Sequence, residues 1–573
     1  MRGKKRKYNY LDCKYLRGIT VCGIIGCVGN RRKSLQEAYR FVSHGQIYIE
    51  ARGPDRSQII NLPANVASIG MATLSINNPS QHYGPYCSTN RRYVLTYNGE
   101  IYNGRDLCQR FDIWLSPIEN DAHLLLKLFE KVGTKCLPYI NGMFAFAILD
   151  TQLNRLTLAV DKHSQKPLYW TKSQNLLAFS SVYTALAQLN TEDQSFSDEF
   201  LEFENFVGGR TPSSGIHKLK GGTFAEYTPA DDRLRIAEYS KVGSPQAGTN
   251  VADSLVSAAG RLATSLPSAL LLSGGIDSAI LAALLRPNVA VTVSFDEHDA
   301  YSEEVKAREI CDAFGIEHVV IKPDSTKLLT NIDDITRRLQ FPIGNASVFP
   351  EYVIYEELAK RGIRVCYSGL GADEFFLGYE RMRLFVAKIA GKTPAVADNY
   401  LPLQQHLNSI YDPQVSPGEN YLRLLARNPS AKLSHVAIPE ELNSVDQLSE
   451  LMTWIETEFS LPGLLRTTDA LSGSFGIEVR APYLDDEVIA AAGQLQLWDK
   501  LDVDNGTKLP LRRLAANLGV PMSVTHDLVK RGFAAPYGMW LGTQSKARGI
   551  FDRSVFLSAL IESHQRLNYP VAA

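Results

Sequence analysis

Leu270-Leu-Leu-Ser-Gly-Gly-Ile-Asp-Ser278 decides the fold of the longer part of this chain. The apolar run Ala269 to Leu272 reads as a buried strand, and Ser278 to Leu285 beyond the glycines reads as a helix. A second strand (Val289 to Phe295) and a second helix (Glu303 to Phe314) follow. Strand, crossover helix and strand in that order predict a doubly wound parallel α/β sheet. The turn itself has a chemical use. Glycines let the backbone wrap an anion, while a helix N-terminus offers free N–H groups and the positive end of a dipole. The loop is therefore a phosphate cradle, although it lacks the lysine of GxxxxGK[ST] and is no Walker A loop.

Outward from this loop, Val445 to Phe459 and Val488 to Leu497 read as further helices. Upstream, Ser244 to Asn250 (SPQAGTN) reads as a linker. Before it lie short strand-like runs, Val21 to Val28, Tyr93 to Tyr97, Phe144 to Leu149 and Leu156 to Val160, with one helical stretch from Asp121 to Lys131. The expected organisation is a basic extension over 1–21, a first domain over 22–227, a linker over 228–250 and a second domain over 251–573. No internal repeat or low-complexity tract interrupts it.

Composition narrows the function. With 45% hydrophobic residues in 573, the chain can bury more than one core. The balance of 60 basic against 61 acidic residues gives no field that would select nucleic acid or an anionic membrane, so small-molecule chemistry is expected. The 8 cysteines are scattered, with no CxxC pair, which fits a reducing, cytoplasmic compartment. No HExxH or Cys/His cluster suggests a transition metal. The longest apolar runs fall short of the roughly 20 residues that span a bilayer. Residues 1–21 lack the apolar centre of an export signal, and the run Lys4 to Lys7 reads as a solvated tail.

Ser273-Gly-Gly-Ile-Asp-Ser278 resembles the loop of the ATP pyrophosphatases. Taken with Ser368-Gly-Leu-Gly-Ala-Asp-Glu374, Gly378-Tyr379, Glu478-Val-Arg-Ala-Pro-Tyr-Leu-Asp485, Lys508, Lys530-Arg-Gly-Phe533 and Trp540, it resembles the C-terminal domain of the asparagine synthetase family. The resemblance implies that Ser273, Gly274, Gly275, Asp277, Ser278, Ser368 and Gly369 hold ATP, with Leu272 and Val293 flanking the adenine. Asp277 and Asp373 would bind Mg²⁺, a hard cation suited to carboxylate and phosphate oxygens. Lys508 would neutralise charge that develops on the leaving pyrophosphate.

The first half carries the partner of this domain. Cys22-Gly23, Arg52-Gly-Pro-Asp55, Asn98-Gly-Glu-Ile-Tyr-Asn103 and Asn141-Gly-Met-Phe-Ala-Phe-Ala147, in this order, resemble the class II glutamine amidotransferase domain, an Ntn-type αββα sandwich. In that family an N-terminal cysteine uses its own α-amino group as base. By resemblance Cys22 is the nucleophile, Asn98 and the Gly99 N–H stabilise the oxyanion, Arg52 pairs with the glutamine carboxylate, and Glu100 and Asp121 hold its amide and amine. The family begins Met-Cys-Gly, whereas here Val21 precedes the cysteine. A translation start at position 21, a cleaved propeptide and an inactive glutaminase are the three explanations.

Further departures bear on the acceptor. Where the family has an acid inside SG[E/D]GADE this chain has Leu370, and an upstream Glu-Pro reads Phe341-Pro342; leucine and phenylalanine cannot take a proton from ammonium. Thr73, Ser164 and Val182 stand where the family has Arg, Gly and Glu, and are expected at domain contacts or along the route of ammonia between the sites. Three readings follow: a glutamine-hydrolysing asparagine synthetase acting on aspartate, the same ligase chemistry on another carboxylate such as a cell-surface sugar or natural-product precursor, and an inactive regulatory paralogue. The expected partners are glutamine, ATP and the acceptor acid, with neither nucleic acid nor membrane; a homodimer is left open.

Overall fold

The computed structural model describes residues 20–31, 34–76, 83–189, 196, 198–240, 250–295, 303–426, 445, 447–528, 535–541 and 550–568. The Lys4 to Lys7 run, most of the SPQAGTN segment and Lys530 to Phe533 lie outside them. The chain divides into two compact units, Met1–Leu189 with Gly222–Ser240, and Asn190–Gly221 with Lys241–Ala573.

The first unit is built on two antiparallel sheets. Its strands are β1 (Thr20–Gly29), β2 (Arg56–Leu62), β3 (Ala67–Ser75), β4 (Tyr86–Cys87), β5 (Tyr93–Ile101), β6 (Gly142–Asp150), β7 (Arg155–Val160), β8 (Tyr169–Lys172) and β9 (Leu176–Ser180). The next strand, β10 (Ile216–Lys218), falls in the second unit, and β11 (Thr223–Thr228) and β12 (Arg233–Glu238) complete the first. One sheet runs β2-β3-β1-β9-β8 and the other β4-β5-β6-β7-β11-β12; they are joined where Thr20 pairs with Gly99. Helix α1 (Leu35–Glu50) packs on β1 and β3; after α2 (Gly104–Arg110), helix α3 (Asp121–Val132) packs on β5. This is the expected αββα layering.

Alternation along β1 sets which face holds the chemistry. Gly23 and Ile25 face α1, where a Cβ on Gly23 would overlap Ile49 and Ile25 fills the space left by Gly45. Cys22 and Ile24 consequently face away from α1. The expected linker over 228–250 is corrected in part, because its first half forms β12, hydrogen-bonded to β11 from Thr228↔Arg233 to Thr223↔Glu238. Its Arg-Leu-Arg-Ile-Ala-Glu sequence makes an exposed edge strand with little apolar signal.

Helix α4 (Tyr183–Ala187) still belongs to the first unit; the second contains α5 (Asp198–Phe203) and continues through α6 (Val251–Leu262), α7 (Ile276–Leu285), α8 (Glu304–Phe314), α9 (Ser325–Leu339), α10 (Val348–Lys360) and α11 (Ala372–Phe375). Its sheet comprises β13 (Ser268–Leu271), β14 (Val289–Val293), β15 (Glu317–Ile321), β16 (Val365–Tyr367) and β17 (Glu478–Arg480), all parallel in the order β15-β14-β13-β16-β17. From β13 the chain first builds outward on one side and then crosses to the other. The crevice beyond the carboxyl ends of β13 and β16 is therefore a topological switch point, where sheets of this type bind ligands.

Two helices differ from expectation. The segment read as one helix from Val488 to Leu497 stops at Gly493 and restarts as a single turn at Leu497, so the apolar spacing carried across a break. The helix ending at Ile455 continues through a π-helical turn (Glu456–Ser460) into Leu461–Ser474. There the buried Glu456 accepts from Arg381 Nε and Nη2, at 2.7 and 2.6 Å, and from the Tyr421 hydroxyl.

One buried cation in this unit has a measurable cost. Lys500 is 4% exposed, its ammonium donates to Ser449 Oγ at 3.1 Å, and burial pulls its pKa down to about 8 from 10.5. Below about pH 8 both folded and unfolded chains carry the proton, and the folded state bears the full cost of burying it. As pH rises from about 8 to 10.5 only the unfolded chain keeps the proton, so stability increases across that window. Lys500→Met is expected to stabilise the unit at pH 7 by about 1–3 kcal/mol, read from denaturant midpoints, with the gain shrinking by pH 10.

Candidate active sites

In the first unit, Cys22 is fully buried at the start of β1, between β3 and β5. Its backbone N–H donates to Asn98 Oδ1 at 3.0 Å, which fixes the Asn98 amide with Nδ2 as its donor end. That Nδ2 is buried with no hydrogen-bond partner among the described residues. A buried donor held at the nucleophile's nitrogen and otherwise unspent is what a developing oxyanion requires. The next residue, Gly99, has φ +150°, and a Cβ there would overlap the Met143 carbonyl and Phe144, so only glycine leaves β5 and β6 undisturbed.

Asp121 is the first residue of α3, whose capping box joins Asn120 and His123. Its Oδ2 accepts from the Tyr97 hydroxyl at 2.9 Å and from the Ile101 N–H at 3.2 Å, fixing the carboxylate beside the Asn98–Glu100 run. Burial and the Asp121 charge hold the Tyr97 pKa well above the usual phenol value, so it remains a donor. Burial, and then the charge of Cys22, also raise the pKa of Tyr86. Arg52 and Glu100 are buried in the same unit. Arg52 sits in the turn after α1, and Asp55 two residues beyond Gly53 donates its N–H to the Thr73 carbonyl at 3.0 Å.

Thr73 is the residue whose place the sequence obscured. It is the register partner of Cys22 on β3, so its side chain shares the face of the nucleophile. It is 1% exposed, and its hydroxyl has no hydrogen-bond partner among the described residues. Ser164 and Val182 lie elsewhere in the unit, Ser164 in the turn that Asp161 organises and Val182 ahead of α4.

The second constellation gathers at the switch point. Beyond β13, Gly274 has φ +70° and Gly275 caps α7 with no side-chain bond to its free N–H groups. Ser278 Oγ donates back to the Gly275 carbonyl at 3.1 Å and accepts from Ser273 N at 3.4 Å, closing the loop. Ser368 and Gly369 follow β16, and a Cβ on Gly369 would sit 3.1 Å from that of Asp277. Leu272 and Val293 are buried at the ends of neighbouring strands.

Lys508 ties this crevice together. It occupies a left-handed turn (φ +57°), is 3% exposed, and reaches Asp277 Oδ2 at 2.5 Å and Asp373 Oδ1 at 2.6 Å. Burial disfavours its charge, but the two carboxylates outweigh that and raise its pKa. Two further residues support it, Tyr483 from the Glu478–Asp485 motif and Arg512, which no sequence motif singles out. Tyr483 donates to the Asp277 carbonyl at 3.0 Å, and Arg512 anchors the carbonyls of Thr507, at 2.8 Å, and Thr525, at 2.9 Å. The rest of the Glu478–Asp485 motif is structural. Arg480 and Glu478 form a fully buried ion pair at 2.8 Å, Arg480 also holds the Leu262 carbonyl, and Asp485 pairs with Arg261 of α6 at 2.6 Å.

The two apolar departures sit differently. Leu370 is half-buried between Gly369 and Gly371, at the lip of α11. Phe341 is core: it is 1% exposed, its ring lies 3.9 Å from the Arg466 guanidinium, and Phe206 meets it edge-on. Arg466 donates to the carbonyls of Leu339, Phe341 and Pro342 at 3.0–3.1 Å. An aromatic face and three carbonyls here accommodate a buried cation.

Residues 250–562 match the asparagine synthase family, and residues 21–239 match the glutamine amidotransferase domain. An asparagine synthetase [glutamine-hydrolyzing] 1 of Bacillus subtilis is 24% identical, covering 91% of this chain and 88% of its own length. A putative asparagine synthetase of Mycobacterium tuberculosis is likewise 24% identical, with the same coverage. Amidase chry2 of Gibberella zeae is 24% identical over 58% of this chain and 54% of its own. Among solved structures, the glutamine phosphoribosylpyrophosphate amidotransferase of B. subtilis overlaps 54% of this chain and 70% of its own at 15% identity, with a TM-score of 0.28.

Proposed function

The chain belongs to the asparagine synthase family and is a glutamine-hydrolysing carbon–nitrogen ligase, and we propose that it converts aspartate, ATP and glutamine to asparagine, AMP, pyrophosphate and glutamate. The observation that carries the ATP half is the Lys508 ammonium held between Asp277 and Asp373 beside the loop at the switch point.

In the first unit, the Cys22 thiol attacks the glutamine amide carbon once its own nitrogen is a free amine that can take the thiol proton. Asn98 Nδ2 and the Gly99 N–H receive the oxyanion; ammonia leaves, and water hydrolyses the thioester to glutamate. Arg52, Glu100 and Asp121 orient the glutamine. In the second unit ATP is a co-substrate. The loop Ser273 to Ser278, with Ser368 and Gly369, holds its phosphates while the acceptor carboxylate attacks the α-phosphorus and pyrophosphate departs. Ammonia then displaces AMP from the acyl-adenylate. Lys508, itself buried, meets the negative charge that builds on the phosphates and offsets it.

The residues also fit Mg²⁺. Asp277 Oδ1 is buried with no hydrogen-bond partner among the described residues, and Asp277 and Asp373 supply two hard carboxylates, the number such an ion takes from protein when phosphates complete its shell. When bound, the ion would neutralise phosphate charge.

Phe341 and Leu370 favour one second reading, the same chemistry on a less charged acceptor. Pyrophosphate release from Mg-ATP, with and without aspartate and with either glutamine or ammonium, separates the two. Aspartate-dependent release with both nitrogen sources is expected. Glutamate production from glutamine without aspartate dependence would move the acceptor to another carboxylate.

A further inference from the structure

We infer that Lys508 occupies the position of the divalent cation in the nucleotide-free enzyme, so that the metal is admitted only together with a phosphate that draws the lysine away. The inference rests on the ATP reading of this crevice and concerns the order in which its occupants enter.

The geometry leaves one cation position. Nζ lies 2.5 Å from Asp277 Oδ2 and 2.6 Å from Asp373 Oδ1, so the ammonium occupies one oxygen of each carboxylate and the space between them, leaving Asp277 Oδ1 as the unspent donor. A magnesium ion bound to the same oxygens would sit at about 2.1 Å from each, in direct repulsion with a buried ammonium. Gly378 leaves the lysine stem no slack toward its own side, for a Cβ there would already overlap Lys508 Cε. The backbone of Lys508 is equally fixed, since Arg512 ties the preceding carbonyl at 2.8 Å and donates its own N–H to the Lys508 carbonyl at 3.0 Å. Only the flexible side chain can move, and the uncapped N-terminus of α7 beside it offers N–H groups rather than an acceptor for the charge.

Metal alone would thus deprive a buried ammonium of both of its carboxylate partners, which is costly. A triphosphate changes the balance, because its oxygens complete the metal shell and give the ammonium a new partner. The device prevents the two aspartates from collecting a metal in the absence of nucleotide.

Mn²⁺ binding to the full chain, followed by loss of the free-ion electron paramagnetic resonance signal, tests this without recourse to activity. Wild-type protein is expected to bind Mn²⁺ weakly alone and at least about tenfold more tightly with a non-hydrolysable ATP analogue. Lys508→Met should bind Mn²⁺ alone with affinity near that of the nucleotide-loaded wild type, and Mn²⁺ should raise its melting temperature. The analogue chelates Mn²⁺ by itself, so its protein-free titration is the baseline; should the variant not fold, the wild-type binding in excess of that baseline still decides. Equal wild-type affinity in both states would overturn the inference while leaving the ATP site intact. Absence of Mn²⁺ binding in both states would overturn the metal reading beneath it.

Discussion

The chain that begins at Cys22 will release glutamate from glutamine on the order of 10²–10⁴ times faster than the chain retaining residues 1–21, the range that a positioned general base contributes. Two features of the longer chain block the reaction. Its Cys22 nitrogen is a peptide amide, which already donates to Asn98 Oδ1 at 3.0 Å and has no basic lone pair to accept the thiol proton. Moreover, β1 continues upstream of the nucleophile, and Thr20 pairs with Gly99, the residue whose N–H is assigned to the oxyanion. Removing the peptide before Cys22 therefore supplies the base and vacates the strand position beside Gly99 together. Glutamate release should be measured alongside intact mass, because a chain that trims itself would display the shorter mass. Cys22→Ser in the short form should be inactive. Equal rates in two preparations whose masses prove that one keeps its extension would refute this account of the first site.

The outlines of both sites were legible because each is carried by local sequence. An apolar strand, two glycines and a helix start at Leu270 to Ser278 can fold in few other ways, and the structure differs there by two residues at most. Cys22, Asn98 and Asp121 likewise stand at strand and helix positions that their neighbours dictate. What escaped the sequence is held by register and long-range packing. Thr73 stands where the family has Arg and is expected from sequence at a domain contact or on the ammonia route; that it lies opposite Cys22, 51 positions away in the chain, follows only from the pairing of β1 with β3. Tyr483 and Arg512 were seen, respectively, as a motif letter and as nothing, since their partners Asp277 and Thr525 cannot be read from adjacent residues. The edge strand β12 was lost for the opposite reason: it buries too little apolar surface to leave a pattern.

Gly378→Ala should abolish most synthetase chemistry while sparing the glutaminase. A Cβ at position 378 would overlap Lys508 Cε and Asp373 Oδ1 and stand 2.7 Å from Lys508 Nζ. The atoms met are side-chain ends, so it is the Lys508 ammonium and the Asp373 carboxylate that must give way while their backbones stay in place. Asp373 is tied through its carbonyl to the Gly378 N–H at 2.8 Å, and the Lys508 turn is fixed by Arg512 and has a left-handed backbone. The added methyl therefore pushes the ammonium off the carboxylates and out of line with the phosphate loop. Misplacing one preorganised charge in a buried site lowers rate by about 10²–10³, and pyrophosphate release should fall by that factor with ammonium as well as with glutamine. Overpacking also destabilises by about 1–3 kcal/mol, so the rate loss must be separated from unfolding. The first unit provides the control: glutamate release by the same Cys22-initiated protein should be unchanged, because Gly378 belongs to the second unit and Cys22 to the first. Pyrophosphate release at the wild-type rate would mean that Lys508 acts from a position other than the one between Asp277 and Asp373, and would remove the observation on which the ATP half of the function rests.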